Sequence, residues 1–328
     1  MLPGGIVGLD EGDHHCMKIC GRFLVLLLCC ILAVAYYIFV VEICIFTIES
    51  LEEKVAYLII FHLIYILCSW SFLRTVLARP AKPPAKFCLS DADKQLYLNQ
   101  KRPEMKQEIL IRVAKDLPIY TRNSKGAIRY CEKCQALKPD RCHHCPICNT
   151  CVLKLDHHCV FLNNCVGFTN YKYFILSVLY ALLLCLFIFA VSLYCSILFW
   201  THRVPDTNSK IPIILQLCVS SVFSLIGFPF YLSHFYMAAN NLTTVDDKED
   251  EDEEEKMNPY DLGFSKNLAQ VFGNKKKYWF LPIFSSLGDG SSFPMGDAME
   301  DIEKNAVMCK TEHILKQLTK VLAPIHAP

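Results

Sequence analysis

The chain has 328 residues, of which 53% are hydrophobic, and its formal net charge is +1. Ordinary soluble domains are about 45–50% apolar, so the composition argues against a soluble protein. The near-neutral charge gives no reason to expect a nucleic-acid partner.

Four apolar stretches are long enough to cross a bilayer, because a helix needs roughly 20 residues to span about 30 Å of hydrocarbon. The first stretch continues ten residues past Ala35, which is too long for the core of a signal peptide, so we expect it to be retained. The predicted spans are Phe23–Ile45, Val55–Leu77, Tyr173–Trp200 and Ile211–Ala238.

Basic residues indicate which way the spans face. Lys18 and Arg22 precede the first span, and Arg79, Lys82 and Lys86 follow the second, whereas the loops at 46–54 and 201–210 carry few cations. The positive-inside rule then places both termini and the central segment in the cytosol. We expect cytosolic segments at 1–22, 78–172 and 241–328, and membrane helices in pairs at 23–77 and 173–240.

Polar side chains inside the predicted spans allow two interpretations. They can mark a transport path, or they can be structural, with long side chains near a span end reaching the interface. Most of them lie near span ends, so we favour the structural interpretation for Glu42, His62, Arg74, Gln216 and His234.

Eight cysteines and four histidines lie between residues 131 and 165, and this segment overlays itself when it is shifted by fourteen residues. Two interleaved sets of the form Cys-x2-Cys-x9-His-x6-Cys result. In a reducing cytosol such sets favour metal over disulfides, and three cysteines with one histidine suit a closed zinc tetrahedron. We predict two structural Zn²⁺ ions, one held by Cys131, Cys134, His144 and Cys151 and the other by Cys145, Cys148, His158 and Cys165.

Cys159 occupies the position of a zinc ligand in this repeat but has no partners with which to bind metal. It lies fourteen residues after Cys145, and a third set would need a cysteine at position 162, where the chain has Leu162. Asp156 and His157 stand beside it, and a thiol with a neighbouring imidazole and carboxylate is the arrangement of an activated nucleophile. We therefore predict Cys159, His157 and Asp156 as catalytic residues, the alternative being a spare cysteine in a zinc-binding interaction module.

The stretch Asp156-His157-His158-Cys159, within this spacing, resembles the signature of the DHHC family of protein S-acyltransferases (palmitoyltransferases). The resemblance runs from Arg129 to about Phe174 and resumes after the fourth span. There Thr243-Thr244 is similar to the family's Thr-Thr-x-Glu element, and the stretch from Lys275 to Met295 resembles the subgroup that includes the mammalian members fifteen and twenty. The implied fold is an all-α polytopic membrane protein, with four transmembrane helices and a small cytosolic zinc-binding domain (core 129–170) between helices two and three.

The resemblance implies a ping-pong palmitoyltransferase. Cys159 takes a long-chain acyl group from acyl-CoA, His157 accepts the proton and is oriented by Asp156, and a cysteine of a membrane-associated protein then removes the acyl group. The four helices are expected to enclose the acyl chain. Candidate contacts for CoA are Arg129, Lys138, Arg141, His143 and Phe161; the alternative for each cation is solvated charge.

Three features depart from the family pattern. Val160-Phe161 replaces the usual Pro-Trp after the nucleophile, which loosens the turn and changes the cavity mouth. Asp246 ends the Thr-Thr-x-Glu element one methylene short. A second Asp13-His14-His15-Cys16 stretch lacks any surrounding ligand set, so we interpret it as a coincidence.

The other segments give coarser expectations. We predict a solvated helix in Asp91–Leu117, a disordered acidic linker in Asp246–Glu255 and an amphipathic tail in Ala306–Leu322. Cys16 and Cys20, just before the first span, are candidates for acylation. The resemblance implies a multi-pass protein of the Golgi, another endomembrane or the plasma membrane.

Three alternatives remain open beside the acyltransferase. One alternative is a membrane-anchored zinc adaptor, similar to a ubiquitin ligase. In such a protein Asp156 and His157 beside an unliganded Cys159 would have no function. A metal transporter is disfavoured, because the Cys/His cluster lies outside the spans. A weakened enzyme of the same fold is suggested by Val160-Phe161.

Overall fold

The computed structural model describes residues 11–121, 123, 126–201, 209–246 and 258–296. Within these ranges, four helices are long and apolar enough to cross a membrane. Helix α1 continues without a break into a π-helical stretch, Ile38–Thr47. The four are α1 (Glu11–Tyr37), α2 (Leu51–Leu77), α5 (Tyr171–Trp200) and α6 (Lys210–Ala239).

These helices confirm the prediction of four long apolar helices, and they extend beyond the predicted bounds. Helix α1 begins at Glu11, well before the apolar run at Phe23. Helix α2 begins at Leu51 because the Ser50 hydroxyl accepts a hydrogen bond from the Glu53 N–H, and Glu52 and Glu53 lie in its positive first turn.

Helix α5 lies at the centre of the helical bundle, packed against both α2 and α6. The π-helical stretch joins this core through Phe39, whose ring stacks on Phe61 of α2 with centroids 4.2 Å apart. Many large apolar side chains on the outer faces of α1, α2 and α6 remain exposed. Helices that are apolar on their outer face as well as their packed face are typical of a lipid environment.

The linker after α2 folds differently from the prediction of one solvated helix over Asp91–Leu117. It contains two helices, α3 (Asp91–Asn99) and α4 (Pro103–Ala114), because Pro103 occupies the first turn of a new helix and cannot continue the previous one. The pair has a buried core of its own, formed by Phe87, Leu89, Tyr97, Leu110, Ala114, Ile119, Ile128 and Leu137.

The cysteine-rich segment corrects the all-α prediction for this part of the chain. It consists of three antiparallel two-stranded hairpins, and in each of them a four-residue turn reverses the chain. The strands are β1 (Tyr130–Cys131), β2 (Ala136–Leu137), β3 (His143–Cys145), β4 (Thr150–Val152), β5 (His157–Cys159) and β6 (Asn164–Val166).

The chain after α6 returns to the cysteine-rich hairpins, to the first turns of α5 and to the last turn of α6. It includes α7 (Phe264–Phe272) and a short 3₁₀ turn at Lys276–Tyr278. Asn267 ties α7 to α6, since its side-chain amide donates to the Ala239 carbonyl at 2.8 Å. The predicted tail helix at 306–322 and all but the first residue of the predicted acidic linker lie outside the described residues.

Candidate active site

The fourteen-residue repeat in the sequence corresponds to the three hairpins. Their turns share a residue with positive φ at positions fourteen apart: Gln135 at 53°, Asn149 at 50° and Asn163 at 47°. The strand registers also match, since Cys145 pairs with Thr150 and Cys159 pairs with Asn164. The hairpin that carries Cys159 is therefore a third copy of the two metal-site hairpins.

The structure brings the first predicted ligand set together. Nδ1 of His144 lies 3.4 Å from Sγ of Cys131, 3.4 Å from Sγ of Cys134 and 3.9 Å from Sγ of Cys151. A zinc tetrahedron with Zn–S bonds of about 2.3 Å and a Zn–N bond of about 2.0 Å has edges of about 3.5–3.8 Å. The four side chains therefore fit a zinc ion.

The second ligand set has the same arrangement. Nδ1 of His158 lies 3.7, 3.4 and 3.5 Å from the sulfurs of Cys145, Cys148 and Cys165. In both sets all four ligand atoms lie within 4.8 Å of one another. The two clusters are of the kind that binds metal, as the sequence predicted.

The third hairpin presents Cys159 without a metal set. Leu162 occupies the position that corresponds to Cys134 and Cys148 in the first two hairpins. It is buried in the core of the helical bundle, and Cys159 packs against the same core. The hairpin is fixed to the end of α2 because the Asn164 amide donates to the Thr75 and Ala78 carbonyls at 3.0 and 2.7 Å. A hairpin built like a metal site thus holds an unliganded thiol against the helices.

Asp156 and His157 are joined by a hydrogen bond, and Cys159 lies beside His157 on strand β5. Nδ1 of His157 donates to Oδ2 of Asp156 at 2.5 Å. Burial lowers the pKa of His157, but hydrogen bonds to Asp156 and Cys159 and their charges raise it to about 9. Burial alone raises the pKa of Asp156, yet its hydrogen bond to His157 lowers it overall. A charged His157 is therefore favoured, and it can hold the proton that Cys159 releases.

Thr244 completes the surroundings of Asp156, a role that the sequence did not reveal. Its backbone N–H donates to Oδ1 of Asp156 at 3.0 Å and its hydroxyl donates to Oδ2 at 3.1 Å. Two residues further on, Asp246 accepts the Arg141 guanidinium at 2.5 Å and the Thr243 N–H at 3.0 Å. Asp246, which replaces the glutamate of the family's Thr-Thr-x-Glu element, therefore still pairs with Arg141 and Thr243 in spite of its shorter side chain.

His234 of α6 lies against His157. The ring centroids of His234 and His157 are 5.7 Å apart, and Phe174 and Phe230 pack edge-on against His234 at 4.8 and 4.7 Å. His234 is completely buried, and neither of its ring nitrogens has a hydrogen-bond partner among the described residues. The sequence had indicated only a polar residue near a span end.

An apolar cavity of about 370 Å³ opens beside Cys159. Phe161, which is 56% exposed, and Leu162 line it next to Cys159. The remaining lining comes from all four long helices and includes Leu28, Phe72, Phe174, Ile188 and Phe230.

Three of the four cations and imidazoles predicted to contact CoA lie together. Arg129, Lys138 and His143 line a polar pocket of about 420 Å³ beside α3 and α4. Burial and the adjacent Arg129 charge lower the pKa of His143 to about 3, so His143 is neutral. Arg141 lies elsewhere, with its guanidinium buried between the Tyr260 and Phe293 rings.

The second occurrence of the signature, at residues 13–16, lies within helix α1 rather than on a hairpin. It contributes to neither of the two metal-binding clusters found among the described residues. A helix does not place these residues in the arrangement seen at Asp156–Cys159, which agrees with the interpretation as a coincidence.

The sequence profile of the DHHC palmitoyltransferase family matches residues 124–251. Palmitoyltransferase ZDHHC20-A of Danio rerio is 43% identical to this chain over 312 residues, covering 90% of this chain and 85% of that protein. The human palmitoyltransferases ZDHHC2 and ZDHHC15 are 44% and 40% identical over 306 and 298 residues, each across 90% of this chain and across 81% and 88% of their own lengths. The chain belongs to the DHHC palmitoyltransferase family, as its signature residues predicted.

Proposed function

We propose that this protein S-palmitoyltransferase works by a two-step, ping-pong transfer through Cys159. The observation that carries the proposal is the position of Cys159, which neighbours the hydrogen-bonded Asp156–His157 pair and borders an apolar cavity between the four long helices. The substrates are a long-chain acyl-CoA and cysteine thiols of membrane-associated proteins.

In the first step the Cys159 thiolate attacks the carbonyl carbon of the acyl-CoA thioester. A new carbon–sulfur bond forms at Cys159, and the bond to the CoA sulfur breaks. His157 holds the proton that Cys159 gave up and returns it to the departing CoA thiolate. Asp156 keeps the ring in position and stabilises its positive charge, as the third member of a catalytic triad does.

In the second step a cysteine of the protein substrate attacks the acyl-enzyme. His157 accepts the proton of the incoming thiol, the acyl group moves to the substrate sulfur, and Cys159 leaves as a thiolate. A hairpin at the cytosolic ends of the helices is reached by thiols close to the bilayer surface, so cysteines near a membrane are the substrates this geometry favours.

The apolar cavity is the proposed site of the acyl chain. Each methylene moved out of water contributes about 0.8 kcal/mol, and the cavity walls come from α1, α2, α5 and α6. The same four helices are the proposed membrane spans, with both termini and the zinc-binding hairpins on the cytosolic side of an endomembrane or the plasma membrane.

The CoA phosphates are proposed to bind near Arg129, Lys138 and His143, which share one polar pocket. Arg129 is oriented by hydrogen bonds to the Cys142 carbonyl at 2.8 Å and the Thr121 hydroxyl at 3.1 Å. Phe161 contributes at the cavity mouth. The Arg141 guanidinium is engaged by Asp246 and Asn241 within the protein, so the proposal for phosphate contact rests on the other three residues.

The two zinc ions would be structural. The two Cys3His sets fit closed tetrahedral sites, and zinc in the second set would fix both strands of the third hairpin through His158 and Cys165. His158 would bind zinc, while its neighbours His157 and Cys159 remain available for chemistry. Zinc-bound residues and reacting residues therefore alternate along strand β5.

Incubation of the purified protein with labelled palmitoyl-CoA tests the proposal against a zinc adaptor. We expect one hydroxylamine-labile label on the wild-type protein and none on Cys159→Ser, with about two zinc ions in both. Mass spectrometry of the labelled peptide identifies the acylated cysteine. Equal labelling of the two proteins would overturn the role of Cys159.

A further inference from the structure

The segment Lys275–Phe284 is bound through its backbone to the cytosolic end of helix α5. The Lys172 ammonium donates to the Tyr278 and Ile283 carbonyls at 2.7 and 3.1 Å. The Tyr180 hydroxyl donates to the Phe280 carbonyl at 2.5 Å. The height of this segment along α5 is thereby fixed.

That height corresponds to the boundary between lipid head groups and acyl chains, if α5 spans the bilayer as proposed above. Helix α5 has 30 residues, which is about 45 Å at 1.5 Å per residue, against about 30 Å of hydrocarbon. About five residues therefore extend beyond the hydrocarbon at each end, so Lys172 lies among head groups. Tyr180 lies deeper, but helical side chains point back toward the N-terminus, so its hydroxyl reaches this boundary.

The outward face of the segment combines exposed aromatic rings with a run of lysines. Phe280 is 65% exposed and Phe284 is 50% exposed. Lys275, Lys276 and Lys277 are exposed, and within the described part of the chain none of them forms a salt bridge.

Trp279 differs from these residues because it faces the protein. Its indole N–H donates to the Gly273 carbonyl at 2.7 Å, and its ring packs on Phe272 with centroids 5.6 Å apart. The segment is therefore held from within, while the Phe280 ring and the lysine run face solvent. One edge of Phe284 packs on the Phe168 ring with centroids 5.8 Å apart, and half of its side chain stays exposed.

We propose that Lys275–Phe284 is a membrane-surface site that binds anionic lipid head groups. The three lysines pair with head-group phosphates, and Phe280 and Phe284 insert just below them. Lysines beside aromatic rings at this depth are the combination that anionic interfaces attract. The acidic run at 247–255 of the same chain can neutralise lysines, but its charged side chains offer no apolar medium for the two rings, so lipid fits the whole surface better.

The test uses the full-length protein reconstituted in vesicles of phosphatidylcholine with and without phosphatidylserine. Native mass spectrometry then counts the phosphatidylserine retained by the wild type and by Lys275→Gln/Lys276→Gln/Lys277→Gln. We expect the wild type to retain phosphatidylserine in preference to phosphatidylcholine, and the variant to lose at least tenfold of that preference. A variant with three linker lysines neutralised, Lys94→Gln/Lys101→Gln/Lys115→Gln, should behave as the wild type.

A second variant, Phe280→Ser/Phe284→Ser, probes insertion, and we expect it to lower phosphatidylserine retention as well. Unchanged retention in either the lysine or the phenylalanine variant would overturn the proposal. An increase in phosphatidylserine retention on neutralising the acidic residues of 247–255 would also overturn the proposal, because it would show that the lysines pair with those acidic residues.

Self-acylation from palmitoyl-CoA, measured in detergent on the same variants, separates this proposal from the acyl-transfer function on which its membrane setting rests. We expect the rate and the KM for palmitoyl-CoA to be unchanged. A raised KM in the lysine variant would assign these lysines to CoA instead of lipid. Absence of palmitoyl labelling in the wild-type protein would contradict the proposed acyl-transfer function. The measurement of bound phosphatidylserine would remain valid in that case.

Discussion

Thr244 donates two hydrogen bonds to Asp156, one from its backbone N–H at 3.0 Å and one from its hydroxyl at 3.1 Å. The two residues are 88 positions apart in the chain. Because Asp156 is hydrogen-bonded to His157, the chain after α6 helps to set the position of the His157 ring beside Cys159, although it lies outside the cysteine-rich segment.

Thr244→Val should slow acyl-enzyme formation by about tenfold, because a hydrogen bond to a charged group contributes about 1.5 kcal/mol or more and the buried carboxylate would lose one. Single-turnover labelling with palmitoyl-CoA measures the rate. Thr169→Val is the matched control, since the Thr169 hydroxyl donates to the Arg79 carbonyl away from Asp156. An equal effect of both substitutions would remove the special role of Thr244.

The adjacent histidines of strand β5 should separate cleanly by metal content. His157→Ala is expected to keep about two zinc ions per chain and to slow acyl-enzyme formation on the order of 10²–10⁴-fold, since it removes the general base. His158→Ala is expected to lose zinc and to unfold at lower temperature. Metal analysis and thermal unfolding measure both variants, and equal zinc content would contradict this division of roles.

Breaking the Arg141–Asp246 pair should destabilise the protein strongly, because removal of one partner leaves a buried charge uncompensated. Arg141 is only 1% exposed and Asp246 is 16% exposed, so we expect Asp246→Ala to cost about 3 kcal/mol, the lower end for buried pairs. Asp246→Glu, which introduces the family's residue, should retain the pairing. Denaturant unfolding in detergent compares the two variants, and similar losses would argue against the ion pair.

His234→Phe should lower activity and raise stability together. The phenyl ring preserves the packing against His157 and Phe174 but removes two buried nitrogens that have no partner in the described protein, and buried unpaired polar groups are costly. Loss of the polar ring beside the Asp156–His157 pair should slow acyl-enzyme formation on the order of tenfold.

His62→Phe is the counterpart of that substitution, because the His62 nitrogens are hydrogen-bonded to Tyr36 and to the Leu58 carbonyl. It should lower stability and leave the acylation rate unchanged. Thermal unfolding and single-turnover rates measure both histidine variants. A His234→Phe enzyme as fast as the wild type would show that its nitrogens have no part in the reaction.

Val160→Pro should stabilise the third hairpin. Val160 accepts a hydrogen bond from the Asn163 N–H at 3.3 Å, as Pro146 does from Asn149 at 3.2 Å in the second hairpin. A proline that fits the native turn stabilises by about 0.4–1 kcal/mol. The reverse change, Pro146→Val, should destabilise by a similar amount.

The double substitution Val160→Pro/Phe161→Trp restores the usual family pair and should raise the acylation rate if the natural residues weaken this enzyme. Phe161 is exposed at the cavity mouth beside Cys159, so the larger ring can cover more of the acyl chain there. Single-turnover labelling measures the change. No gain in rate would show that Val160-Phe161 is not a defect.

Much of the architecture could be predicted because its signals are local. Apolar runs of about 20 residues predicted the four long helices, and the ligand spacing predicted which eight side chains would come together in two clusters. The fourteen-residue repeat and Leu162 identified Cys159 as the unliganded member. The sequence did not reveal that each repeat is a β-hairpin, because strands of two or three residues are too short to show an alternating apolar pattern.

The sequence by itself determined the helices, the two metal-binding clusters and the unliganded cysteine, because each of these depends on residues within about 35 positions of one another. Only the tertiary structure decided that Thr244 and His234 lie against Asp156 and His157, and that Arg141 binds Asp246 rather than facing a ligand. Those contacts join residues 77 (234 − 157), 88 and 105 positions apart. They arise from the way α6 and the chain after it pack onto the third hairpin, which no local spacing encodes.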